Sequence, residues 1–104
     1  RAVELVEDIK SGAYDSNVVE ALALANKVTD SNAAFFDAAN NFAGCIPGLH
    51  EVLRRQGILE GVWTLNEKEV LTPQQKAEID RVYQAYPELN DDSFVEENLD
   101  RWLN

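Results

Sequence analysis

The sequence predicts an all-α fold of about five helices, and three observations support this. Apolar residues recur at three- and four-residue steps along most of the chain, which is the spacing of one helical face. Glycine and proline stand where helices with this spacing should end or begin. Only residues 62–65 alternate like a strand, and no second such stretch is present to pair with them. With 104 residues, the chain is expected to form a single helical domain over residues 1–104.

Glycine and proline mark two of the predicted helices. An apolar stripe over residues 2–9 indicates the first helix, and Gly12 is placed to end it in the left-handed conformation. Pro47 suits the first turn of another helix, where its missing N–H costs nothing. That helix is predicted over 48–56, and Gly57 is expected to end it.

A long helix is predicted between these two. Either Asp15 or Ser16 is expected to cap it, and its apolar spacing runs over residues 17–42. Residues 29–32 are poor helix formers, so a break or kink there is the alternative to one continuous helix. A loop over 43–47 follows.

Two capping boxes introduce the last helices. Thr72 is followed by proline and then by Gln75, and Ser93 is followed three residues later by Glu96. These patterns predict helices over residues 73–86 and 93–103, after an irregular connection over 58–71.

The composition excludes several classes of function. Nineteen acidic against nine basic residues leave a net charge of −10, which would repel nucleic acid and anionic membrane surfaces. No apolar run is long enough for a membrane span. One cysteine and one histidine cannot form an internal disulfide or an ordinary zinc site. A soluble, cytoplasmic protein without a cofactor is the resulting expectation.

The chain contains no methionine and opens at Arg1, inside an amphipathic pattern with no capping residue before it. We therefore expect it to be part of a longer protein, cut or expressed without its beginning, and a mature chain left after processing is the alternative.

Three features could carry chemistry, and each has a simpler explanation. His50 lies on a predicted helix with no evident nucleophile or substrate beside it, so an ordinary helix-face histidine is expected. Cys45 precedes a helix start that would favour a thiolate, but no basic residue other than His50 is near it in sequence, and a half-buried structural thiol is expected. Acidic residues near the C-terminus lack the spacing of a calcium loop, and we expect them to be charges at a helix start. They are Glu88, Asp91, Asp92, Glu96 and Glu97. We thus predict no catalytic, cofactor-binding or metal-binding residue.

Large aromatic side chains offer a different role. Most should form the core, but a chain this small is not expected to bury all of them, and an exposed aromatic patch marks a contact surface. The predicted interface residues are Phe35, Phe36, Trp63, Tyr86 and Trp102.

Four segments in this order carry a family resemblance: 11–12 (SG), 26–36 in the long helix, 50–58 (HEVLRRQGI) and 71–75 (LTPQQ). They resemble the C-terminal part of the dihydrodipicolinate synthase and N-acetylneuraminate lyase family, which are class I aldolases that act on pyruvate. His50 stands where that family has a lysine. The family's Arg-x-Pro-Leu element is reduced to residues 62–65, a few residues are inserted before the 71–75 segment, and the tail 90–104 extends beyond the usual end.

The resemblance implies that a (β/α)8 barrel precedes this chain. The chain itself would supply the last helix of that barrel and the C-terminal helical domain. The family's Schiff-base lysine and tyrosine proton relay lie on barrel strands, and Lys10, Lys27, Lys68 and Lys76 match neither. The chain itself would then be non-catalytic, pack on the barrel and contribute to subunit contacts. The parent enzyme would take pyruvate or a related 2-oxo acid together with an aldehyde.

Two other functions remain open. A free-standing helical module would bind a partner protein through its aromatic and aliphatic faces. A stand-alone enzyme would need a paired acid–base or nucleophile arrangement, and the sequence offers none.

Overall fold

The computed structural model describes residues 1–104 and confirms the all-α prediction. It contains five α-helices, two single-turn 3₁₀ helices and no strand. Residues 58–71 form an irregular connection, as predicted. The α-helices are α1 (Ala2–Lys10), α2 (Val18–Phe35), α3 (Cys45–Arg55), α4 (Pro73–Ala85) and α5 (Asp92–Leu103), and the 3₁₀ turns are Ala38–Asn40 and Pro87–Leu89.

Several helix ends follow the local rules used to predict them. Gly12 and Gly57 have φ angles of 79° and 81°, so each occupies the left-handed position after its helix. The Thr72 hydroxyl accepts a hydrogen bond of 3.1 Å from the backbone N–H of Gln75, and proline occupies the first turn of α4.

The predicted cap of α2 is wrong, because the residue that follows Ser16 caps the helix instead. α2 is capped by Asn17 rather than Asp15 or Ser16, since the Asn17 Oδ1 accepts from the Glu20 N–H at 3.1 Å. Its Nδ2 donates to the Glu20 carboxylate at 2.9 Å, which completes a reciprocal pair.

The predicted cap of α5 at Ser93 is wrong as well. Asn90 Oδ1 accepts from the Asp92 N–H at 3.1 Å, and this short-range turn begins the helix at Asp92. Ser93 therefore lies inside the first turn and makes no capping hydrogen bond.

The prediction of helix through residue 42 is wrong, whereas the preferred prediction of a continuous helix through 29–32 is confirmed over the alternative of a break there. α2 passes through 29–32 and ends at Phe35. Asp37, Asn41 and Phe42 follow with φ angles of 57°, 50° and 63°, which no right-handed helix accommodates. Asp37 Oδ2 accepts from the Gly44 N–H at 3.0 Å and from the Asn40 amide at 3.3 Å, so this side chain organises the turn.

The polar residues inside α2 tie it to α4 rather than interrupting it. Asp30 accepts two hydrogen bonds of 2.8 Å from the Arg81 guanidinium and one of 2.7 Å from the Tyr86 hydroxyl. The Arg81 hydrogen bonds, followed by that of Tyr86, lower the pKa of Asp30 to about 2. Ser31 is buried in the same interface.

The core lies between the C-terminal half of α2 and α4. Ile79 and Val82 are fully buried, and Ala34 packs beside them. Ten of 104 residues are buried, so this core is small for the length of the chain. Most of α1 and of the first half of α2 lies outside it.

Gln75 joins α2, α3 and α4 at one point. Its side chain was predicted to close the capping box of α4, but it points inward and is 2% exposed. Its Nε2 donates to the carbonyl oxygen of Gly44 at 2.8 Å and lies 3.4 Å from those of Ala34 and Phe35. A Cβ on Gly44 would collide with the Gln75 side chain, and one on Gly48 would collide with the Phe35 carbonyl oxygen. Both glycines therefore permit the close approach.

The loop predicted over 43–47 is shorter than expected. α3 begins at Cys45, and Pro47 lies in its first turn as predicted. The early start follows from the turn around Asp37, which positions Gly44 as the residue before the helix.

Candidate interaction surface

Helix α1 exposes an apolar stripe that no part of the chain covers. Val3 is 76% exposed, Ile9 63% and Val6 48%, and no residue of α1 is buried. An amphipathic helix normally turns such a stripe toward a packing partner. The stripe is the one predicted from residues 2–9, so the sequence indicated the helix face correctly.

The start of α2 has the same character. Val19 is 79% exposed, Val18 63% and Leu22 62%, whereas the second half of the same helix contains buried Ser31 and Ala34. The helix thus divides into a half that packs on α4 and a half without a partner. We call the exposed residues of both helices the N-terminal apolar set: Val3, Val6, Ile9, Val18, Val19 and Leu22.

The packing of α1 on the rest of the chain is incomplete. A cleft of about 200 Å³, open to solvent, separates Leu5 of α1 from Val28, Phe35 and Tyr83. Side chains across such a cleft do not reach the close packing of a protein interior. The position of α1 is therefore held by few apolar contacts.

The structure divides the five predicted interface residues. Phe35 and Tyr86 are part of the core, because both pack against the buried cluster. The Phe35 ring also meets the Tyr83 ring edge-on, with 6.2 Å between the ring centres. Phe36 is half-buried at the end of α2. Trp63 is 70% exposed and Trp102 is 45% exposed. Their contact with a partner stays a prediction.

Trp63 and Trp102 occupy different elements. Trp63 lies in the 58–71 connection, where its ring covers Gly61, and Leu65 beside it is fully exposed. Trp102 lies on α5 and packs on the Phe94 ring at 5.8 Å. Leu65 is not among the predicted interface residues, although the alternation over residues 62–65 was a signal for it.

The two candidate reactive residues, His50 and Cys45, are both half-buried on α3. His50 is half-buried on α3, and its Nδ1 is buried without a hydrogen-bond partner. Cys45 is a half-buried free thiol in the first turn of α3.

Three of the five acidic residues near the C-terminus take part in ordinary polar contacts. Glu88 binds Lys27 at 2.9 Å, and that hydrogen bond lowers the pKa of Glu88. The Gln56 amide donates to Asp91 at 2.8 Å and to Asp92 at 3.0 Å. No group of three histidine, cysteine or acidic side chains is arranged to hold a metal ion.

One buried charge is fully compensated. Glu51 on α3 is 2% exposed and accepts hydrogen bonds of 2.7 and 2.9 Å from Arg54 and one of 2.9 Å from Arg55. The hydrogen bonds from Arg54 have the largest effect on the pKa of Glu51. Together with that from Arg55 they lower it to about 2, although burial acts in the opposite direction. Arg55 also stacks on the Tyr83 ring, 5.0 Å from its centre, so the group joins α3 to α4.

Comparison with known proteins adds no relative: no family model, curated protein or solved structure matches the chain. None of its helices combines the length and apolar character needed to cross a bilayer. The resemblance to the dihydrodipicolinate synthase family therefore stays a prediction.

Proposed function

We propose that the chain is a non-catalytic helical domain that packs through the N-terminal apolar set on a second protein domain. The observation that carries this proposal is the contrast within α2, where Val19 is 79% exposed and Ala34 is 4% exposed on one continuous helix. Exposed valine and leucine side chains at helical spacing favour a partner that removes them from water.

The partner that we propose, from the family resemblance, is the (β/α)8 barrel of a Schiff-base-forming lyase. In such an enzyme α1 and α2 would be the elements nearest the barrel, and α3 to α5 would form the domain that follows it. The parent would act on pyruvate or a related 2-oxo acid with an aldehyde, and its lysine and tyrosine would lie on barrel strands. The role of this chain would be structural, with a contribution to subunit contacts.

The lysines of the chain support the non-catalytic part of this proposal. Lys27 is paired with Glu88 at 2.9 Å and Lys76 with Asp80 at 3.3 Å, while Lys10 and Lys68 are exposed. A Schiff-base lysine needs a site that favours the neutral amine, usually desolvated or beside another cation. A carboxylate partner has the opposite effect.

Trapping with pyruvate and borohydride tests the proposal. An antibody raised against the chain should isolate from the source cells a polypeptide about three times as long, since barrels take roughly 250 residues. After treatment with pyruvate and borohydride, intact and peptide mass spectrometry should show one adduct on a lysine outside residues 1–104. The 104-residue chain treated alone should show none. An adduct on Lys10, Lys27, Lys68 or Lys76, or a source protein without any trapped lysine, would overturn it.

A free-standing interaction module is the second candidate. The observation in its favour is the buried cluster of Ala34, Ile79 and Val82, with polar bonds that join α2, α3 and α4. Such a module would be isolated with the same antibody as a polypeptide without a barrel domain and would give no adduct. The trapping experiment therefore distinguishes the two candidates.

A further inference from the structure

The cleft between α1 and the core formed by α2 and α4 is lined mainly by apolar side chains. Its volume is about 200 Å³. Leu5 of α1 lies on one side, and Val28, Phe35, Val82 and Tyr83 lie on the other. A lining of this kind, with few polar groups, is typical of sites that bind small molecules.

Ser31 places a free polar group among these apolar side chains. It lines the cleft and is 6% exposed, yet its hydroxyl makes no hydrogen bond with any group of the chain. A serine inside a helix commonly donates to the carbonyl oxygen four residues earlier, and Ser31 does not. Its oxygen is not enclosed, so a ligand in the cleft can reach it. Because a buried polar group without a partner costs free energy, a ligand that forms a hydrogen bond with Ser31 is favoured.

Aromatic rings supply a large part of the apolar lining. Phe35, Tyr83 and Tyr86 all line the cleft, and the first two form an edge-on pair. The Tyr83 hydroxyl also has no partner, but its oxygen is enclosed, so the ring of Tyr83 and not its hydroxyl can contact a ligand. Aromatic rings pack on one another in edge-on or offset arrangements, and the pair therefore favours a ligand that contains a third ring.

The charged groups at the cleft are already paired. Arg1 binds Glu4 at 3.0 Å, and Asp91 accepts a hydrogen bond of 2.8 Å from the Gln56 amide. The net charge of −10 on the chain further disfavours an anion. These observations favour a neutral ligand.

We propose that this cleft binds a small neutral phenol, whose hydroxyl forms a hydrogen bond with Ser31 and whose ring packs on Phe35 and Tyr83. A phenol has a pKa of about 10, so it is neutral at pH 7 and both donates and accepts hydrogen bonds. An apolar cavity of about 150 Å³ accommodates benzene, so a cleft of about 200 Å³ has room for one substituted ring. The site uses no residue of the N-terminal apolar set and does not depend on the function proposed above.

Titration of the whole chain with p-cresol, followed by amide NMR, tests the site. We expect saturable shifts of the backbone amides of Leu5, Ser31 and Phe35. The anion p-toluate, which has a similar shape, should give no saturable shift over the same concentration range. N-acetyltyrosinamide, which carries the same phenol on a peptide backbone, should bind more weakly, because the cleft has room for one ring. No saturable shift with p-cresol would overturn the proposal, and so would equal affinity for p-toluate. Equal affinity for N-acetyltyrosinamide would instead assign the cleft to a tyrosine of a partner chain.

Ser31→Ala tests the hydrogen bond, with toluene as the ligand that lacks the hydroxyl. The ratio of the p-cresol affinity to the toluene affinity should fall at least about threefold in this variant, because only p-cresol can bond to Ser31. An unchanged ratio contradicts the assignment of the hydroxyl.

Val28→Phe tests the position of the site, since a larger side chain there fills the cleft. It should weaken the binding of p-cresol and of toluene at least about tenfold. Val19→Phe, the same substitution on the exposed half of α2, should leave both affinities unchanged. Unchanged p-cresol affinity in Val28→Phe, or an equal loss in Val19→Phe, would place the binding outside the cleft and overturn the proposal.

Discussion

The Gln75 side-chain amide donates a 2.8 Å hydrogen bond to the carbonyl oxygen of Gly44, across 31 residues of sequence. This contact closes the space between the end of α2, the start of α3 and the start of α4. It is possible because Gly44 and Gly48 carry no side chain where the helices meet. This polar contact should therefore contribute to the stability of the chain beside its small apolar core.

Replacement of Gln75 by leucine should destabilise the chain by about 2 kcal/mol, because buried carbonyl oxygens lose their donor. Gln74→Leu is the matched control, since Gln74 is the exposed neighbour on the same turn, and it should change the free energy of unfolding by less than about 0.5 kcal/mol. Urea denaturation followed by circular dichroism measures both. Equal effects of the two substitutions would show that the buried amide contributes nothing.

Glycine-to-alanine substitutions should distinguish a glycine that contacts rigid backbone from a glycine that contacts a movable side chain. Gly48→Ala should cost about 2 kcal/mol even after the better helix propensity of alanine, because the new methyl group meets the Phe35 backbone. Gly61→Ala places its methyl group 2.8 Å from the Trp63 ring, which is 70% exposed and can turn away. Its cost should stay below about 1 kcal/mol. Thermal unfolding of both variants under one condition gives the comparison, and the reverse order would contradict this account of the junction.

The parts of the fold that the sequence predicted are those that depend on nearby residues. Thr72 caps α4 through a residue three positions away, and Gly12 and Gly57 end their helices through their own backbone angles. The end of α2 was mispredicted because apolar spacing continues to Phe42, whereas the Asp37 turn depends on a contact with Gly44.

Long-range contacts explain the remaining differences. The polar residues of α2 were interpreted as a possible break because nothing in the local sequence shows that Asp30 binds Arg81, 51 residues away. The inward orientation of Gln75 was hidden in the same way, since the glycines that accommodate it lie in another helix. In the candidate surface, the apolar stripe of α1 was predictable from the three- and four-residue spacing of its apolar residues. The exposure of Val19 was not predictable, because it depends on which other helices pack against the start of α2.

The Glu51 group should make stability depend on pH. Its pKa is about 2 in the folded chain against 4.5 as the ordinary value, so the folded state favours the charged form. The resulting stabilisation is fully present above pH 4.5 and is lost as the pH falls toward 2. Glu51→Gln should therefore cost about 2–3 kcal/mol at neutral pH, and the difference from the unsubstituted chain should shrink below pH 4.5.

Glu78→Gln is the control for this experiment. Glu78 also binds an arginine, but its side chain is 54% exposed, so its loss should cost less than about 1 kcal/mol. Urea unfolding at a series of pH values measures the difference for each variant. A Glu51→Gln cost that does not change with pH would show that the carboxylate charge is not the source of the stabilisation.

The exposed set on α1 and α2 should control how the isolated chain behaves in solution. Because valine and leucine side chains there have no partner, we expect the chain to bind a hydrophobic dye and to show a sedimentation coefficient that rises with concentration. The double variant Val3→Asp/Val19→Asp should reduce both effects at unchanged helix content. Leu65→Asp/Val70→Asp adds the same two charges to apolar residues of the 58–71 connection, which are also exposed, and should reduce them much less. Sedimentation velocity and dye fluorescence on matched samples decide the outcome. A chain that stays monomeric at high concentration and binds no dye would favour an independent helical domain, because its apolar residues would then need no partner.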